Sequence, residues 1–261
     1  MDNSVFIKID RISKSFTNRE QVVKVLEEIS FDVKKGEIIS ILGESGCGKS
    51  TLLNVIGGFE KAGNGKVLLD GSVVERPSRR GVMLFQNYGL LPWRSVLKNV
   101  ELGLEETSIP TTERRERALE YLKLVGLEDK MNLFPHELSG GMQQRVAIAR
   151  ALVIQPELIL MDEPFAALDT FNRYYLQDEL LRLHKKEKTT IILVTHDIDE
   201  AIYLSDRILM MSSKPGQIKK ELRIDSSRPR DRSHSEFQHF RKIIFEEFHF
   251  NRENQSIEYN I

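Results

Sequence analysis

The stretch Gly43-Glu44-Ser45-Gly46-Cys47-Gly48-Lys49-Ser50-Thr51 decides how this chain is read. The β-branched run Ile38-Ile39-Ser40-Ile41-Leu42 precedes it and Leu52-Leu53-Asn54-Val55-Ile56 follows, so the order is strand, glycine-rich turn, helix. Glycines let the backbone curl until successive N–H groups point at one spot. The helix N-terminus adds a partial positive charge there, which suits the phosphates of a nucleotide. Lys49 is placed to reach the β- and γ-phosphates and the Ser50 hydroxyl to ligate Mg²⁺. The stretch therefore predicts a nucleoside triphosphate site. Cys47, the one thiol of the chain, sits within it. Converging N–H groups and a neighbouring lysine favour a thiolate, so a reactive cysteine is expected.

Size and composition narrow the class. The 261 residues suit one large α/β domain, alone or with an appendage. A formal charge of −1 supplies no global basic field for nucleic acid. A single cysteine excludes an internal disulfide and agrees with a reducing compartment. No apolar run approaches the roughly 18 residues of a membrane span, and the start Met-Asp-Asn-Ser-Val-Phe-Ile-Lys lacks the pattern of a signal peptide.

Outward from the loop, strands are expected at Val5–Ile9, Ser30–Val33, Lys66–Leu69, Gly81–Phe85, Leu158–Met161, Thr190–Val194 and Ile208–Met211. Val96 to about Asn132 is mostly helical, and further helices are expected over Gly140–Ile154 and Leu168–Lys186. Short apolar strands alternating with helices predict a largely parallel sheet. Beyond Arg228-Pro229-Arg230-Asp231-Arg232, an amphipathic helix carries Phe237, Phe240, Ile243, Ile244 and Phe248 on one face.

Two further stretches carry chemistry. Asp162-Glu163 ends a strand, where α/β folds place ligand-handling groups. Asp162 suits the Mg²⁺ shell and Glu163 the polarisation of an attacking water. Leu138-Ser139-Gly140-Gly141-Met142-Gln143-Gln144-Arg145 opens a helix with a second anion cradle in the same chain. This stretch resembles the signature motif of the ATP-binding cassette (ABC) family, with Met142 where glutamine is commoner. The likeness runs from about Ile7 to Ile224, and the family's other motifs follow in order. Phe16 corresponds to the aromatic that stacks on adenine, Gln86 to the Q-loop glutamine, which also reaches the metal, and Ala167-Leu168-Asp169 to the D-loop. His196 corresponds to the switch histidine.

The resemblance implies a P-loop NTPase fold with a mostly parallel core sheet, an antiparallel β subdomain and a helical subdomain over about 87–138. Together these form an ATPase domain over 1–225, followed by a helical extension over 226–261. It implies ATP and Mg²⁺ as ligands. Lys49, Gln86, Glu163 and His196 would be catalytic and Gly43 to Thr51 would cradle the phosphates. Ser139, Gly140, Gly141 and Asp169 would act across a head-to-tail dimer of two copies. An importer subunit is implied, on the cytoplasmic face of the cell membrane. It would bind two transmembrane permease subunits through the groove near Gln86 to Trp93, be served by an extracytoplasmic solute-binding protein, and have no nucleic-acid partner. Phe85 to Trp93, Asp162 to Asp169 and Met211 to Gly216 are most similar to the nitrate/sulfonate/taurine branch. The alternatives are a soluble ABC ATPase of DNA repair or translation, and an importer of a thiamine-precursor-like solute.

Overall fold

A computed structural model describes residues 4–18, 21–85, 88–105 and 107–258. Two long antiparallel strands, β1 (Val5–Asn18) and β2 (Gln21–Lys34), open the chain. The turn at Gly36 then delivers β3 (Ile38–Gly43), which is buried throughout. The phosphate loop follows, and α1 (Lys49–Ile56) starts on Gly48. Next come β4 (Asn64–Leu69), the two-residue β5 (Ser72–Val73) and β6 (Gly81–Leu84). A helical stretch holds α2 (Val96–Glu101) and α3 (Thr111–Leu124), with Pro110 at the start of α3 in place of a capping side chain. The remainder alternates: α4 (Gly140–Leu152), β7 (Leu158–Asp162), α5 (Thr170–Glu187), β8 (Thr190–Thr195), α6 (Ile198–Leu204), β9 (Arg207–Met211), β10 (Ile218–Arg223) and α7 (Ser235–Glu258).

The strands form two sheets. One is antiparallel in the order β2-β1-β4-β5, and the other runs β10-β9-β3-β8-β7-β6. In the second sheet only β10 is antiparallel to its neighbour. The parallel strands are apolar on both faces because both faces are covered, and the period of two sorts their side chains. Ile39 and Ile41 face α1 and the antiparallel sheet, joining Leu52, Ile56, Ile9 and Val67 in one core. Ile38 and Leu42 face the other way, into a second core with Val146 of α4, Leu176 of α5, Ile202 of α6 and Ile244 of α7. Wedged between cores, the parallel sheet has little freedom to shift, and its C-terminal edge carries the loops of interest.

The strands expected at Val5–Ile9 and Ser30–Val33 are the inner ends of longer ones. Their outer halves do not alternate cleanly: Ile12 and Leu26 are buried while Phe16, Val22 and Val23 are exposed, and register shifts interrupt the pairing, so the period of two that would reveal them is broken. β10 is a strand without a counterpart among those expected, since Ile218-Lys219-Lys220-Glu221-Leu222-Arg223 is largely charged and shows no clean apolar alternation. It is an edge strand carrying lysines and an arginine, which suits an unpaired edge.

Candidate functional site

Three neighbouring strands end together. β3 and β7 flank β8, so Gly43, Asp162 and Thr195 lie along one edge of the sheet. The residues that follow those ends form the site.

The loop after β3 needs its glycines. Gly46 and Gly48 have φ of 78° and 99°, a region that disfavours side chains. A Cβ on Gly46 would meet nothing within 4 Å, so the loop opens onto free space. A Cβ on Gly48 would press on Leu26 at 2.9 Å and Val25 at 3.1 Å, so β2 buttresses the loop from behind. Gly216 closes the same side. It exchanges backbone hydrogen bonds with Val25 and Glu27, and a Cβ there would lie 2.3 Å from the Cys47 carbonyl oxygen. The sequence offered no signal for that role.

Lys49 is 5% exposed. Its ammonium donates to the carbonyls of Gly43 and Glu44, both at 2.8 Å, and among the described residues no carboxylate lies within ion-pair distance. With two carbonyls and the Cys47 sulfur at 3.9 Å as its acceptors, this buried cation is an incomplete arrangement that an anion completes. The Ser50 hydroxyl donates to Asp162, whose pKa is raised chiefly by burial and lowered by this bond. A hydroxyl and a buried carboxylate side by side form the hard oxygen pair that Mg²⁺ takes. The residues present thus fit both a polyphosphate and its metal.

Glu163 follows Asp162 with φ of 50°, a left-handed turn that sends its side chain away from the strand direction. Its Oε1 lies 3.0 Å from Nδ1 of His196, which follows β8. Glu163 is also held through its backbone: its N–H donates to Val194 O at 2.9 Å, and Gln144 of α4 donates to the carbonyls of Glu163 and Pro164. The structure thus brings together Lys49, Ser50, Asp162, Glu163 and His196. Gln144, whose amide ties the signature helix to the backbone of Glu163 and Pro164, is a contribution that the sequence did not single out.

The remaining candidates lie further out. Ser139 caps α4, its Oγ accepting from Met142 N at 3.3 Å. The atoms nearest a Cβ on Gly140 and Gly141 belong to Tyr88, Ala167 and Leu168, not to the phosphate loop of the same chain. Asp169 caps α5, accepting from Asn172 N at 3.1 Å. Phe16 is 42% exposed on the β1–β2 arm, paired with Val23, with the Lys14 ammonium 4.9 Å from its ring centre. The Gln86 expectation lies outside the described residues.

Cys47 corrects an expectation. Its side chain is 1% exposed and packs in the core behind the loop, and burial raises its pKa more than nearby Lys49 lowers it. The Lys49 ammonium lies 3.9 Å from the sulfur and the backbone N–H groups of Lys49 and Cys47 also favour the thiolate, but burial outweighs them, so Cys47 is a buried thiol of low reactivity.

Beyond Phe85 the chain forms a loop, residues 88–95, held by two polar side chains. Asn99 of α2 is fully buried; its amide donates to Leu91 O, Arg94 O and Ser95 O, and its Oδ1 accepts from Leu91 N at 2.8 Å. Arg150 of α4 donates to Tyr88 O at 2.7 Å and Gly89 O at 2.6 Å. Trp93 projects from this loop, 71% exposed.

A comparison with known proteins agrees with this geometry. The family described as ABC transporter matches residues 26–166. The chain is 43% identical to the aliphatic sulfonates import ATP-binding protein SsuB of Bacillus cereus, across 93% of this chain and 95% of that protein. It is 42% identical to the nitrate import ATP-binding protein NrtD of Synechococcus elongatus, across 88% and 85%. Among solved structures, the ATP-binding cassette MJ0796, a dimer in a post-hydrolysis state bound to ADP and Pi, superposes with a TM-score of 0.78. That match has 36% identity over 85% of this chain and all of the other. The chain belongs to the ABC transporter family and is one of its ATP-hydrolysing cassettes.

Proposed function

We propose that this chain is the ATPase subunit of a solute importer and works as a head-to-tail pair of copies around two MgATP. The observation that carries the reading is the division of anion-binding features within one chain. Lys49, Ser50, Asp162, Glu163 and His196 converge on one edge, while the Ser139-Gly140-Gly141 cradle packs on Tyr88 and Ala167 instead. A second copy is the natural source of the missing half, and the dimeric relative bound to ADP and Pi supports it.

In this reading the loop N–H groups and Lys49 bind the phosphates, with the ammonium turning from the Gly43 and Glu44 carbonyls to the nucleotide. Ser50 and Asp162 hold Mg²⁺, which would neutralise charge on the phosphate oxygens when bound. Glu163 accepts a hydrogen bond from the attacking water and draws on its proton. His196 fixes the Glu163 carboxylate from the side, and Gln86 senses the metal. Phe16 offers its exposed face to adenine, with Lys14 stacked near it. From the second copy, Ser139 and Gly141 close over the γ-phosphate and Asp169 lines the junction. Departure of phosphate removes the bridge and the pair reopens.

The ATPase domain spans 1–225, the helical subdomain about 87–138 and the extension 226–261. Loop 88–95, with Trp93 outermost, receives the permease at the cytoplasmic face of the membrane, and an extracytoplasmic binding protein delivers the solute. The sulfonate and nitrate import for which the relatives are named supports a sulfonate-, taurine- or nitrate-like anion as that solute.

The test is hydrolysis by the purified chain. Glu163→Gln should lose about 10²–10³ in rate, the usual cost of one positioned catalytic group, and keep MgATP binding by calorimetry. Hydrolysis close to that of the unaltered chain would remove Glu163 from the role.

A further inference from the structure

A cavity of about 470 Å³ lies between the second half of α5, α6 and the segment leading to α7. Its size falls within the range of small-molecule sites, about 300–1,000 Å³. It is remote from the nucleotide edge. His184, in its lining, has Nε2 2.8 Å from the Gly36 carbonyl oxygen, at the turn before β3. The phosphate loop begins at the opposite end of β3, roughly 20 Å away at about 3.3 Å per residue.

The lining divides by chemistry. Leu181, Tyr203 and Pro229 supply apolar surface, and Arg182, Lys185, Lys188 and Arg228 supply four cations against the carboxylate of Asp178. That carboxylate is engaged by the Tyr203 hydroxyl. Arg182 pairs with Glu179 and Arg228 with Asp206 at 2.7 Å. Lys185 and Lys188 have no carboxylate partner among the described residues, and Arg228 Nε is buried without a hydrogen-bond partner. Cations at the end of α5 do complement its C-terminal carbonyls. That role calls for no apolar hollow beside them.

We propose that this cavity binds a small organic anion, an acidic head group on an apolar body, independently of the nucleotide. The body lies against Leu181, Tyr203 and Pro229, and the head group meets Lys185 and Lys188 with Arg228 at its side. The site does not depend on the importer reading, and a negative result here leaves the ATPase assignment untouched.

The test uses the full chain and isothermal titration calorimetry with 1-naphthalenesulfonate as probe. Neutral 1-naphthalenemethanol and inorganic sulfate are titrated beside it, each with and without saturating MgATP. One probe per chain should bind, without displacement by MgATP. Lys185→Gln/Lys188→Gln should weaken binding roughly tenfold, as expected for two exposed ion pairs. Its unaltered MgATP affinity would show an intact fold, and Lys185→Gln alone should give part of the loss. The neutral analogue and sulfate should each bind more weakly than the probe. No saturable binding, binding indifferent to the lysine changes, displacement by MgATP, or sulfate binding as tightly as the probe would each overturn the proposal.

Discussion

The nucleotide edge and loop 88–95 are positioned by different means. At the edge, adjacent parallel strands β3, β8 and β7 carry Gly43, Thr195 and Asp162 to one place, and backbone hydrogen bonds set the spacing. Loop 88–95 has no strand partner; the amide of Asn99 and the guanidinium of Arg150 hold its carbonyls instead. The first arrangement is rigid because many small contacts share it. The second depends on single side chains and is correspondingly easy to displace. Arg150 and Gln144 both belong to α4, so the signature helix touches both regions, one through each residue. A shift of α4 would therefore be felt at Glu163 and at the loop carrying Trp93 together.

Substitutions on the two sides should separate these modes. Lys49→Ala strikes the edge and should have the largest effect, weakening MgATP binding by about 100-fold or more. Losing one partner of a buried charge interaction costs a few kcal/mol. Calorimetric titration reads it, and an unchanged affinity would break the assignment of the loop. Asn99→Ala strikes the other side. It strands backbone groups of Leu91 and Arg94 and leaves a hole, so stability should fall by about 2–4 kcal/mol in urea denaturation. MgATP affinity should change little, and a matching loss there would show that the two regions are not separately held.

Glu200 sharpens the comparison through pH. It sits in α6 behind His196, accepts a hydrogen bond from the Thr195 hydroxyl at 2.6 Å, and has its pKa pushed to about 7, mainly by burial. The unfolded chain ionises this group near its ordinary value, about 4.3. The folded chain therefore holds the proton over the interval between, and the stability this provides is lost as pH rises from about 4.3 to about 7. Glu200→Gln has no such titration. Its stability relative to the unaltered chain should rise between pH 5 and pH 8, by about 2.5 kcal/mol. A constant difference across that range would mean that Glu200 is charged in the fold. The smallest effect on the isolated chain belongs to Trp93→Ala, within about 0.5 kcal/mol in stability because the ring is exposed. Co-purification with permease subunits should weaken markedly. A large stability loss would place the ring in a core instead.

The edge was legible in the sequence because its chemistry is contiguous. Gly43 to Thr51, Asp162-Glu163 and Leu138 to Arg145 each announce themselves within a few residues, and the alternation of apolar strands and helices predicts a largely parallel sheet. What went unread is held over long separations. Gly216 seals the back of a loop about 170 residues earlier, and nothing local marks it. Arg230 looked like one cation in a charged lead to the last helix. It is buried, its guanidinium donates to the carbonyls of Ile202, Ser205 and Ile224, and burial brings its pKa down to about 10. Arg232 likewise sits between the rings of Tyr174 and Tyr203, 3.9 and 3.6 Å from their centres. The reactive Cys47 was read from its neighbours in sequence, whereas the direction of its side chain follows from the core behind the loop.

The division of the site between two copies is tested most directly by the mass of Glu163→Gln in solution. With the proposed water-activating carboxylate removed, its hydrolysis should stall, so nucleotide should stay in place while the species is weighed by light scattering after gel filtration. With MgATP the mass should double from the 30.1 kDa of one chain, and return to that value with MgADP. A variant that binds MgATP by calorimetry yet stays at the mass of one chain would contradict the account.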